Sequence, residues 1–121
     1  MPDLERLRSI AAVEFVALVQ SAAIVRDKLR VVLVDSSYID FWWSTQIPGR
    51  YAHHWERRHV DGTLYRHDNM PHPQWQNVAS FPKHFHAEDQ QHVIDSVIAD
   101  DPGQAVRQFL EFAARRIAAK G

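Results

Sequence analysis

An α+β fold, with an N-terminal helix, an antiparallel sheet of four or five strands and a C-terminal helix packed on one face, is the class this sequence predicts. Three observations predict it. Apolar residues recur at helical spacing at the start, short β-branched and aromatic runs separated by turn residues fill the middle, and a capped amphipathic stretch closes the chain. At the start, Leu4, Leu7, Ile10 and Ala11 form the helical stripe, with Pro2, Asp3 and Glu5 as first-turn chemistry. From Val13 to Val25 the apolar content is too continuous for its period to decide; residues 16–26 read as a strand, and a longer first helix is the alternative. Residues 29–34 and 38–47 flank the polar turn Asp35-Ser36-Ser37 and read as a hairpin. Residues 50–60 and 63–68 flank Asp61-Gly62, the strongest hairpin turn signal in the sequence, so an antiparallel meander is expected. Pro71, Pro73 and Pro82 make residues 69–83 a loop, since proline cannot donate to a ladder. Asp101-Pro102-Gly103-Gln104 then opens a helix with Asp as N-cap, Pro at N1 and a Gln placed to reach back. Its apolar stripe is Ala105, Phe109, Phe112, Ala113 and Ile117.

With 121 residues the chain has the size of one domain, and 45% hydrophobic with 24% charged residues is the composition of a protein that folds on its own. The absence of Cys excludes disulfides, thiolate metal sites and a Cys nucleophile, and fits the reducing cytoplasm. No secretory signal and no membrane-length apolar run is present, so neither secretion nor membrane insertion is expected. A formal charge of −1 argues against a large nucleic-acid-coating surface.

All 8 His, at positions 53, 54, 59, 67, 72, 84, 86 and 92, fall in one third of the chain. His54-Trp55 and Arg66-His67-Asp68-Asn69 stand on the two strands that flank Asp61-Gly62. His84 and His86 project to one side of an extended segment. One reading is metal-independent acid–base cleavage of RNA, in which His fills both proton roles on the 2′-hydroxyl and the leaving oxygen, Arg66 or Lys83 supplies positive charge, and Asp68 orients a His. Trp55, Tyr65 or Trp75 would stack on an unpaired base. A second reading is a zinc or other divalent metal site, with His84 and His86 as an H-x-H pair completed by His72 or a carboxylate such as Asp68. Plainer accounts stand beside these. A single His on a strand is usually a hydrogen-bonded structural residue, Asp68-Asn69 suits an Asx-turn, and Arg50, Arg57 and Arg58 suit a solvated strand edge. Trp42 and Trp43 point to opposite faces, so at least one belongs to the core.

Arg66-His67-Asp68-Asn69-Met70-Pro71-His72, followed by Ser80-Phe81-Pro82-Lys83-His84-Phe85-His86, resembles the TumE family of small toxins from prokaryotic toxin–antitoxin pairs. Members carry approximately R-[WY]-D-N-A-P-H-H, then T-F-P-H-H-x-H, a V-x-x-S stretch and a final helix. Val93-Ile94-Asp95-Ser96 and the helix after Asp101 answer to the last two, and His54-Trp55 to a preceding strand motif. His67 stands where an aromatic is usual, Met70 replaces Ala, Pro73 replaces the second His, and Lys83 replaces the first His of the later triplet. The resemblance implies a toxin neutralised by a partner antitoxin, commonly a helix-turn-helix protein, with RNA as the expected substrate by analogy. Clustering and resemblance together single out His54, Arg66, Asp68, His72, His84 and His86 as the catalytic set, with His84 or His86 as base and His72 or His54 as acid, and Trp55, Asn69 and Lys83 are expected as substrate contacts. The rival from another class is a non-catalytic module that binds a partner protein. Trp42 or Trp43, if exposed, would serve a homodimer or the antitoxin interface.

Overall fold

The computed structural model describes residues 1–120. Helix α1, Leu4–Glu14, starts at Asp3, whose side chain accepts from the Arg6 amide, and buries Leu7, Ile10 and Ala11. Seven strands follow: β1 (Val19–Val25), β2 (Lys28–Leu33), β3 (Tyr38–Trp43), β4 (Tyr51–Arg57), β5 (Thr63–Asp68), β6 (His84–Glu88) and β7 (Val93–Asp95). They pair antiparallel in chain order, so the expected meander is present, but the sheet has seven strands and not four or five. The undercount has a local cause. β6 and β7 are short and lie beyond a proline-rich loop, where period-two patterning has few residues in which to show.

Two further details differ from the sequence reading. The β4–β5 connection is not a two-residue turn: Arg58–Asp61 forms a helical turn, α2, closed by Gly62 at φ +82°, a conformation that suits glycine. Arg57 is not at a solvated edge. It is 3% exposed, its guanidinium lies 2.7 Å from Asp35 and 3.3 Å from Asp61, and it stacks over the Trp55 ring.

The C-terminal helix α3, Pro102–Lys120, begins at Asp101, whose carboxylate accepts from the Gln104 amide, as its opening residues predict. Ala105, Val106, Phe109, Leu110 and Ala113 bury against the sheet together with the apolar stripe of α1. Both helices cover the same sheet face. From β2 to β6 that face carries the odd-numbered residues, among them Leu29, Val31, Ile39, Phe41, Trp55, Tyr65 and Phe85. The reason is the register. Trp42 opposes Ala52, Ala52 opposes Asp68, and Asp68 opposes His84, so residues of one parity stay on one face across four strands. Neither α1 nor α3 covers the even-numbered face.

Candidate active site

Two adjacent rows of the even-numbered face hold most of the singled-out residues. One runs Trp42, Ala52, Asp68, His84; the next runs Asp40, His54, Arg66, His86. The loop after β5 folds back over β6. Its 3-10 turn, Pro73–Trp75, brings the Trp75 ring to 6.2 Å from His84 and 5.9 Å from His86 between centroids, and His72 to 6.4 Å from His84. Backbone ties hold this loop: the Ala79 amide donates to Asp95, and Ser80 Oγ donates to the Lys83 carbonyl while accepting from the Ser96 amide.

The result is a cleft of about 420 Å³ lined by His54, Arg66, His72, Gln74, Trp75, His86, Gln90 and Gln91. A second depression, containing Arg30, Asp40 and Trp42, adjoins it and shares His54 and Arg66. Asp68 is 3% exposed. Its Oδ2 accepts from Arg66 Nε at 3.0 Å, and its Oδ1 accepts from the Met70 amide at 3.0 Å. The second bond is the Asx-turn that the sequence allows, and it coexists with the ion pair. His84 is wholly buried. Its Nε2 lies 3.0 Å from Asp68 Oδ1, and His86 Nε2 lies 3.9 Å from Oδ2.

His54 Nε2 lies 3.1 Å from Glu56 Oε1. Hydrogen bonds from Arg58 above all hold the Glu56 carboxyl down to about 2, so it is ionised and accepts the His54 proton at Nε2, which leaves Nδ1 as the basic nitrogen. Burial pushes both His54 and His86 below the ordinary imidazole value, so both rings are neutral at pH 7. Glu56 went unnoticed in the sequence; the signal was its spacing, two residues after His54 and therefore on the same face.

Not every expected contact is brought here. Trp55 is 0% exposed on the helix-covered face, where its indole N–H donates to Ser37 Oγ, so its expected stacking role is corrected to a core role. Tyr65 is equally buried, and Trp75 alone of the three proposed stacking rings faces the cleft. Asn69 accepts from the Tyr51 amide and donates to the Gly49 carbonyl, and Lys83 Nζ donates to the Ile98 carbonyl. Both line a different cavity, together with Trp43 and Asp100, and not the cleft that holds His54, Arg66 and His86. His53 and His67 also lie on the core face. His67 stacks on Phe85 at 4.2 Å between centroids and bonds Ser96 through Nδ1, and burial pushes its pKa down to about 3. It does the packing work of the aromatic usual at that position.

An open face lined by imidazoles, carboxylates and a guanidinium, on an antiparallel meander backed by two helices, defines a small α+β protein. The family model for Toxin TumE matches residues 3–117, and the chain belongs to that toxin family. No curated protein and no solved structure matches it. Among the described residues, no helix is long and apolar enough to cross a membrane.

Proposed function

We propose that this chain is the toxin half of a cytoplasmic toxin–antitoxin pair, one domain that cleaves RNA at the cleft between the even-numbered sheet face and the loop after β5. The observation that carries the reading is the register. It gathers His54, Arg66, Asp68, His84 and His86 from three strands onto the face opposite α1 and α3, and the loop adds His72 and Trp75. His54, neutral and oriented by Glu56, takes the proton of the 2′-hydroxyl as it attacks phosphorus. His72, exposed on the loop, protonates the leaving oxygen, and Arg66 balances the phosphorane charge. Trp75 supplies a ring for an unpaired base. His84 is too deeply buried to exchange protons with a substrate, so it belongs to the floor of the site with Asp68 and His86.

Purified protein incubated with total RNA tests this reading, beside His54→Ala and His72→Ala variants. Cleavage by the parent, reduced about a hundredfold or more in either variant, supports it. RNA left intact by the folded parent overturns it in favour of a protein-binding module.

A further inference from the structure

Beneath the cleft, two imidazole nitrogens face the Asp68 carboxylate, which also accepts from Arg66 and from the Met70 amide. His84 Nδ1 lies 3.0 Å from the Pro82 carbonyl and His86 Nδ1 3.0 Å from the Gln90 carbonyl. A carbonyl oxygen only accepts, so each Nδ1 carries a hydrogen, and Nε2 is the nitrogen left to face a ligand. Both Nε2 atoms are turned to the Asp68 carboxylate, at 3.0 Å and 3.9 Å. The buried His84 Nε2 has no hydrogen-bond partner. An unpaired nitrogen at this depth is costly, and a cation held jointly by His84, His86 and the Asp68 carboxylate would satisfy it.

We propose that Asp68, His84 and His86 bind one divalent transition-metal ion, with its remaining coordination positions open to the cleft above. The three ligand atoms lie within 4.8 Å of one another. Around one ion with bonds of about 2.0–2.2 Å such atoms stand about 3–4 Å apart, so side-chain shifts of about an ångström close the site. Tying the second ring nitrogen of each His to a backbone carbonyl is how metal-ligating imidazoles are fixed in tautomer and direction. Two imidazoles and a carboxylate suit zinc, iron or manganese better than magnesium or calcium, which prefer oxygen ligands. Arg66 occupies the Oδ2 side of Asp68, which leaves the second lone pair of Oδ1, beside the Met70 amide, for the ion. The third ligand is thus Asp68, whereas the exposed His72, the other residue the sequence offers for that place, stays on the cleft wall.

This departs from the metal-independent expectation, and it deepens the proposed function only in its use. If RNA is the substrate, the ion adds positive charge under the phosphate; binding itself does not depend on that reading. Metal-stripped protein titrated calorimetrically with zinc chloride, and in parallel with manganese chloride, without RNA, provides the test. One ion per chain is expected, weakened at least about tenfold by His86→Gln and by Asp68→Asn. His59→Gln and His92→Gln, both exposed outside the cleft, should bind as the parent does. Circular dichroism confirms that each variant is folded; His86 borders the cleft, so its replacement tests the site without emptying the position of the wholly buried His84. No ion bound by the parent, or equal binding by parent, His86→Gln and Asp68→Asn, overturns the site. Cleavage, assayed separately, keeps the two readings apart: an ion bound without cleavage supports the site and sinks the ribonuclease, and cleavage without ion binding does the reverse.

Discussion

On the helix-covered face of the sheet, His53 and His67 are packed as aromatic rings, stacked on Tyr51 and Phe85 with centroids 4.9 Å and 4.2 Å apart. One residue further along the same strands the surroundings change. His54 meets a carboxylate and Asp68 meets Arg66 and two imidazoles, on the face opposite α1 and α3. Residue type is shared between the two faces, so histidine clustering alone does not locate a site. What separates a packing ring from a chemical one here is parity along the strand, because successive side chains point to opposite faces.

The comparison breaks most visibly at the core. Replacing Trp55 with Ala removes a wholly buried ring that packs edge-on to Phe109 and Phe112, and should cost about 3–5 kcal/mol in urea unfolding. A variant that unfolds like the parent would show that the odd-numbered face is not the core. Of comparable size, but on activity, is the loss expected at His54 and His72; there the thermal midpoint should stay near that of the parent, since the first ring is part-exposed and the second exposed.

Smaller, and sharper as a test of parity, is His67→Phe. It keeps the stack on Phe85, gives up the bond to Ser96, and should change stability by no more than about 1.5 kcal/mol while leaving RNA cleavage intact. A large loss of cleavage at unchanged stability would move His67 into the site.

A last effect is read against pH. Burial lowers His67 from 6.5 to about 3 in the folded protein, so a proton is taken up near neutrality only by the unfolded chain. The contribution is fully present above about 6.5 and is lost as the pH falls from there toward about 3. His53 shifts in the same direction, so His67→Phe should flatten the loss of stability in that window without abolishing it. An unchanged profile, measured by denaturant unfolding between those limits, would mean that His67 is not buried as a neutral ring.

Much of this molecule is written in local sequence. The cap at Asp3, the opening Asp101-Pro102 of the last helix, the alternation that marks the central strands and the interruption by Pro71, Pro73 and Pro82 act within a few residues, where backbone sterics and side-chain period decide. The motif residues could be named in the same way. Their grouping could not. Asp68 meets His84 only because β5 and β6 pair in one register across a fifteen-residue loop, and the same register sends Lys83 and Asn69 to another cavity. Arg57 reads as a surface charge until Asp35 and Asp61 enclose it. Local patterning settled which residues face the same way; long-range pairing, which depends on how the whole core closes, decided which of them touch.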